Sequence, residues 1–342
     1  MHSIKFKVFV VMTLIIVIGI FKVNTVSSQQ ARVIKISHQF PASTGNEGDF
    51  RDRLCRKFAA EVEKRTKGQL KFEIYPSSSL FKATAQVSAM RKGALDMGLI
   101  PISYGSGEIP EANLGLMPAL VTSYEQGLRW KNAPIGKKFS EILAKHNIII
   151  LTWVWQGGGI ASTKGKLVAP EDFKGIKIRG GSREMDMMLK EAGASVVNMP
   201  SSEIYNAMQS GVIDAALTSS TSLISYRLYE FTKNVTTARK KSFWYMLEPL
   251  VMSKSLFDSL TPEQQKIVLE VGASLEKFGM EEAKKDDQRM ADVYANAGAK
   301  VHDMDEKTFE KWREIAQKTA YKDFVEKVKN GKELLDMALS VK

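Results

Sequence analysis

The amino-acid sequence predicts an α/β protein of two similarly built lobes, with a long helix bracing both. Three observations carry this expectation. Between Pro170 and Leu217, short β-branched segments alternate with helical segments of about ten residues, the pattern of a parallel-sheet unit. The run Gly93-Ala94-Leu95-Asp96-Met97-Gly98-Leu99 is echoed about 118 residues later by Gly211-Val212-Ile213-Asp214-Ala215-Ala216-Leu217. Each copy follows a helix with a methionine (Met90, Met208) three residues before the glycine. Finally, a helical pattern opens at Thr261-Pro262-Glu263-Gln264, a capping box with proline at the first helical position, and runs to about Ala297 before Gly298. About 36 residues at ~1.5 Å each span ~54 Å, enough to cross both lobes.

The central stretch contains the first functional candidate. Ile176-Lys177-Ile178 alternates as a strand, and Arg179 stands at its end before Gly180 and Gly181. Ser182 caps a helix from about Arg183 to Ala192, which Gly193 closes. Ser195 to Val197 forms a second strand. Pro200, Ser201 and Ser202 open another helix, with Glu203 in its first turn and Gly211 at its end, and Ala215 to Leu217 is a third strand. Ligands of such sheets sit beyond the carboxyl ends of the strands, where Arg179 is placed. A guanidinium is always charged, and its fork fits a carboxylate with two parallel hydrogen bonds. The competing reading is a solvated surface arginine.

The other elements follow in order. Val33 to His38 is a strand; Phe50, Leu54, Phe58 and Val62 recur every four residues as the apolar stripe of a helix ending near Gly68, with Cys55 buried in it. Leu70 to Tyr75 is a strand, Thr84 to Lys92 a helix, and Met97 to Ile100 a strand. Asp96 and Asp214 read as turn or cap residues rather than catalytic carboxylates. Tyr124 to Lys131 and Ile135 to Lys145 are helical, broken at Pro134. Ile148 to Trp155 is an apolar strand running into Gln156-Gly157-Gly158-Gly159. Those glycines match neither GxGxxG nor a GK[ST] ending, and suggest a flexible crossing with backbone close to ligand. Thr218 to Ser222 is a hydroxyl-rich loop at a strand's carboxyl end. Val235 to Ala238 and Phe243 to Leu247 are strands, the second returning to the first lobe, and helices from Lys307 to Tyr321 and near Leu334 finish the chain.

The ends and composition narrow the classes. Lys5 and Lys7 precede an apolar run from Val8 to Phe21, too short to span a bilayer, and Val26-Ser27-Ser28 offers small residues for cleavage. Residues 1–28 therefore read as a secretory signal peptide. Its removal takes Lys5, Lys7 and Lys22 and no acid from a formal net charge of +11, leaving +8. The lysines are scattered among acids without an aromatic-interleaved basic stripe, which argues against nucleic acid. Cys55 is the only cysteine, so no intramolecular disulfide is possible. The four histidines (His2, His38, His146, His302) are dispersed; no HExxH, GxSxG or metal-spaced cluster appears, which argues against an enzyme, and no cofactor or metal-ligating residue is assigned.

The sequence also resembles a known family. The DFKGIKIR segment (Asp172 to Arg179), the unit from Gly193-Ala194 through Pro200, Glu203, Tyr205, Ala207, Gln209 and Gly211 to Asp214, and SSLFKATAQVSAMRKGALDMGL (Ser78 to Leu99) are similar to the DctP-type solute-binding proteins of tripartite ATP-independent periplasmic (TRAP) transporters. The resemblance covers nearly the whole chain after the leader. It implies a type II periplasmic-binding-protein (Venus flytrap) fold that closes on a small organic anion. Lobe I would comprise 29–156 with 245–284, and lobe II 157–244 with 285–342. It also implies a periplasmic location, a TRAP membrane permease as partner, and Arg179 as the carboxylate-binding arginine, with Glu203 supporting the site. Two departures stand out. Thr218-Ser219 occupies the place of the family's frequent Asn-Pro pair, and Gly159-Ile160-Ala161 that of its "GFR" arginine.

Loss of that second guanidinium favours a monocarboxylate with an apolar or aromatic body. The candidate ligand-contacting residues are Arg179, Glu203, Thr218, Ser219, Ser220, Gly158, Gly159, Trp155, Trp244, His38, Phe40 and Tyr104. For Trp155 and Trp244 the competing reading is core packing, and for His38 a structural hydrogen bond. A ligand-binding component of a sensory system would share the same fold, and a secreted hydrolase is the opposing class.

Overall fold

Two separate sheets account for the alternation of strands and helices. The computed structural model describes residues 31–342; the predicted leader lies outside the described residues. In chain order the strands are β1 (Arg32–Ser37), β2 (Leu70–Tyr75), β3 (Met97–Leu99), β4 (Ile148–Thr152), β5 (Trp155–Ser162), β6 (Lys177–Arg179), β7 (Ser195–Val196), β8 (Ala215–Ser219), β9 (Asn234–Thr237), β10 (Tyr245–Leu247), β11 (Leu250–Ser253) and β12 (Lys300–Asp303). The first sheet has the order β2-β1-β3-β11-β4 and the second β12-β9-β5-β8-β6-β7, with β10 paired to β5. The two echoed glycine-strand runs become β3 and β8, one in each sheet, so the internal echo marks equivalent positions in two lobes.

The chain passes between the sheets three times. Trp153 and Val154 join β4 to β5, Glu248 and Pro249 join β10 to β11, and Leu275 joins helices Pro262–Ser274 and Glu276–Asn296. The first two crossings touch, because the Glu248 amide donates to the Val154 carbonyl at 2.8 Å.

Three sequence expectations are corrected here. The apolar run 148–155 is not one strand: it contains β4, the crossing and the start of β5, and uniform burial removed the alternation that would have separated them. Nor are Gly157, Gly158 and Gly159 a flexible crossing, since all three lie inside a fully buried strand. A Cβ on Gly158 would come within 2.3 Å of the Trp244 ring, and one on Gly159 within 2.2 Å of the Thr236 carbonyl oxygen. These glycines let neighbours approach, rather than letting the chain bend.

The brace is also not one uninterrupted helix. The Ser274 hydroxyl donates to the Val271 carbonyl at 2.8 Å, the acceptor the Leu275 amide would use, and Leu275 bonds to Gly272 instead. Such back-bonding breaks or bends helices. Pro262–Ser274 packs on β4 and helix Phe50–Arg65, and Glu276–Asn296 packs on β5, β9 and β12, so the pair still reaches both sheets. Lys300–Asp303 is a strand the sequence reading did not anticipate; it pairs with β9 in parallel.

Candidate functional site

The carboxyl ends of strands from both sheets converge on one buried region. Gln39 and Phe40 follow β1, Tyr104 lies in the turn after β3, Arg179 ends β6, and Ser219 ends β8. Arg179 is only 2% exposed. Its Nε donates to the Met199 carbonyl at 3.0 Å, Nη1 to the Leu217 carbonyl at 2.9 Å, and Nη2 to the Tyr104 hydroxyl at 2.9 Å. Three of five N–H groups are thus engaged, leaving one on each terminal nitrogen, the pair that fits the two oxygens of a carboxylate. Gly181 makes this posture possible, with φ +104 and a virtual Cβ 2.7 Å from Nη1. Tyr104 comes from the first lobe and also accepts the Ser201 amide at 3.0 Å, so one hydroxyl ties the lobes beside Arg179. A hollow of about 120 Å³ lies here, between Ser103, Tyr104 and Ser106 on one side and Gly181, Ser182 and Asn198 on the other.

A second buried arginine, absent from the sequence expectations, joins the same region. Arg51 donates through Nε and Nη2 to Asp49 at 2.8 and 2.7 Å and through Nη1 to Glu248 at 3.0 Å. Its Nη1 also reaches the Ser219 hydroxyl of the other lobe at 3.4 Å, and its guanidinium carbon stands 3.5 Å above the Phe40 ring. Burial alone would pull the Arg51 guanidinium down; Asp49 and Glu248 more than offset this and hold it above its ordinary value. Burial pushes the Glu248 carboxyl up, against the opposing pull of Arg51 and a hydrogen bond from Gln156.

The remaining candidates separate into two groups. Trp244 is buried against Gly158 and the Thr218 backbone, so Gly158, Thr218 and Trp244 pack together at the β5–β8 pairing, beside the Leu217 carbonyl that holds Arg179. Ser219 caps helix Ser220–Ser225 and faces Arg51. Of the others, Trp155, Gly159, His38 and Glu203 are turned elsewhere, against their expected place at the ligand. Trp155 packs edge-on against Trp130 at 5.2 Å and presses on Gly127; Gly159 faces Thr236 and Met290 inside the second lobe. The His38 Nε2 is committed to Asp52 at 3.0 Å, and Glu203 is exposed. Phe40 lies beneath Arg51.

Ser220 likewise has a structural partner, its hydroxyl donating to Asp287 at 2.5 Å, while Tyr124 donates to the other Asp287 oxygen at 2.8 Å. This couples the second lobe, the brace and helix Tyr124–Trp130. Burial pushes the Asp287 carboxyl up to about 6 despite those two hydrogen bonds, and likewise pushes Asp186 up to about 6 and Glu184 to about 7. A carboxyl with a raised folded value binds its proton more tightly in the folded chain, so its stabilisation is present at low pH and lost as pH rises past it. Above about pH 5, where the carboxyls that ion pairs hold low are ionised in both states, stability should therefore fall toward about pH 7. Urea unfolding at pH 5 and 7.5 tests this: the midpoint drops at the higher pH, and Asp287→Asn reduces the drop. A midpoint that rises over that interval contradicts the assignment.

Comparison with known proteins places the chain. The family model described as "Bacterial extracellular solute-binding protein, family 7" (DctP) matches residues 43–327. The chain belongs to this family. A solute-binding protein of Albidiferax ferrireducens is 58% identical over 309 residues, covering 90% of this chain and 91% of the relative. The crystal structure of a TRAP periplasmic solute-binding protein from Rhodoferax ferrireducens with bound malonate matches with a TM-score of 0.89 at 58% identity, over 90% of this chain and 98% of that one. The 2,3-diketo-L-gulonate-binding periplasmic protein YiaO of Escherichia coli is 27% identical, over 76% of this chain and 80% of the relative. The family 7 assignment fits the two-lobed α/β fold described above. Members of the DctP family are periplasmic transport proteins that bind small organic acids.

Among the described residues no group of three or more His, Cys, Asp or Glu side chains is placed to hold a metal ion, and no helix is long and apolar enough to cross a membrane. The signal for the missed residues was present but indirect. Arg51 is a cation in the first turn of a helix, where the dipole disfavours it, and Glu248 is a lone acid in the apolar run Tyr245 to Val251.

Proposed function

We propose that this family 7 solute-binding protein captures a small carboxylate between its lobes and delivers it unchanged to a TRAP membrane permease, with no catalytic step. The observation that carries the reading is Arg179, buried at a strand's carboxyl end with one N–H left on each terminal nitrogen. In this reading residues 1–28 are the cleaved leader. The lobes divide at the three crossings, so lobe I comprises 29–153 with 249–275 and lobe II 155–247 with 276–342, a few residues from the expected divisions at 156/157, 244/245 and 284/285. Closure removes water from the ion pair and strengthens it.

The finer reading is a monocarboxylate whose body lies against Trp244 and Thr218. Its support is electrostatic. Arg51, the other arginine buried here, already faces the two carboxylates of Asp49 and Glu248, so it offers little attraction to a second anionic end. Malonate, the ligand in the Rhodoferax ferrireducens relative, is the natural contrasting probe. A thermal-shift screen of unfolded-and-refolded protein against small organic acids tests the proposal. A ligand at 100 times its dissociation constant adds about 2.7 kcal/mol of stability. A monocarboxylate shifting the transition more than malonate at equal concentration is the expected result. A larger malonate shift replaces the monocarboxylate reading with a short dicarboxylate, and silence toward every acid removes the capture reading itself.

A further inference from the structure

Where the two sheets meet, three buried side chains carry polar atoms that the described residues do not satisfy. Glu248 lies in the second crossing and Gln156 at the start of β5, where the lobes meet. Both are buried, at 0% and 1% exposure. Glu248 Oε2 accepts from Arg51 and from the Gln156 amide nitrogen, while Glu248 Oε1 and Gln156 Oε1 have no partner among the described residues. Gln39, at the carboxyl end of β1 and 2% exposed, has neither amide atom engaged. Its backbone carbonyl takes the Tyr226 hydroxyl at 3.1 Å, so Tyr226 is directed to the backbone. Buried polar atoms are normally paired, and a buried carboxylate oxygen without a donor is among the costlier exceptions.

We infer that the bound acid carries, besides its carboxylate, a hydroxyl, amide or ammonium hydrogen on its body, received by Glu248 Oε1 and Gln156 Oε1. The inference rests on the capture of a carboxylate by Arg179 and adds a second recognition point to it. Charge and hydrogen-bond count agree. Asp49 and Glu248 set two carboxylates against the single Arg51, so the wall has an excess negative charge. It repels a second ionised carboxylate and attracts a donor. The unengaged Gln39 amide, which can both donate and accept, suits a hydroxyl that does the same. A wall of acceptors rejects an analogue lacking the donor more strongly than an apolar wall rejects an added hydroxyl, because the acceptors then stay buried and unpaired.

Calorimetric titration with shape-matched pairs tests this, using protein expressed as the full chain and recovered after export. The pairs are 3-hydroxybutyrate with butyrate, 3-hydroxybenzoate with benzoate, and pyroglutamate with cyclopentanecarboxylate. In at least one pair the donor-bearing acid should bind about 10-fold tighter or more. Glu248→Gln, nearly the same shape, releases part of the charge on Arg51 and so shifts both members of a pair; the donor subsite is read from the ratio between them, which should fall toward one. Gln156→Met, checked by its unliganded melting temperature, gives an independent second reading. Equal affinities within every pair, or equal losses for both members in Glu248→Gln, overturn the donor subsite while carboxylate capture stands. If Arg179→Lys binds every acid as well as the parent does, carboxylate capture has failed, and the donor subsite falls with it.

Discussion

Arg179→Ala should lower affinity for the bound acid by about 30-fold or more. Truncating one partner of a buried, hydrogen-bonded charge pair costs about 2–5 kcal/mol, because the other charge remains desolvated and unmatched. The guanidinium is fixed before ligand arrives: Met199, Leu217 and Tyr104 hold three of its N–H groups. Little rotamer entropy is then lost on binding, and the remaining two N–H groups are already oriented. The same contacts mean that alanine also loosens the turn at Gly181 and the Tyr104 bridge. Arg179→Lys separates the effects. Lysine keeps the charge but not the fork, so its affinity should fall between those of the parent and the alanine variant. Calorimetric titration with the best acid from the thermal-shift screen measures all three. An alanine variant within threefold of the parent would move the anion site away from β6.

The strand-end position of Arg179 was readable because local signals agreed: an alternating strand, two glycines, and a capped helix. The two-lobe organisation was equally legible, since the run from Gly93 to Leu99 and its echo from Gly211 to Leu217 supply one strand to each sheet. Positions that depend on contacts across the cleft were not legible. Phe50, Leu54, Phe58 and Val62 announce one face of their helix, but nothing in that periodicity says that Arg51 meets Glu248, 197 residues away. The glycines of β5 were misread for a related reason: their role is set by Thr236 on β9 and by Trp244 just before β10, both much later in the chain. Trp155 and Trp244 were indistinguishable in sequence, yet Trp244 lies on Gly158 and Thr218 while Trp155 packs beside Trp130. Local chemistry thus pointed to the candidate site from one lobe, and the opposite wall of that candidate emerged only with the fold.

Arg51→Met should destabilise the folded chain by about 3–5 kcal/mol, the cost of leaving buried charge without its partner. Arg51 is the hub of that wall, fully buried with Asp49 and Glu248, and both carboxylates would lose their counter-ion together. The methionine preserves most of the apolar stem over Phe40, so the loss reports charge more than packing. Urea unfolding of parent and variant gives the difference directly. The double variant Arg51→Met with Glu248→Gln should recover part of it, because one of the two stranded charges is gone; the residue that remains stranded, Asp49, also caps helix Phe50–Arg65. Equal stability of parent and Arg51→Met would mean that water or proton uptake already compensates the carboxylates. The wall could then not hold the excess negative charge on which selection of a donor-bearing acid depends.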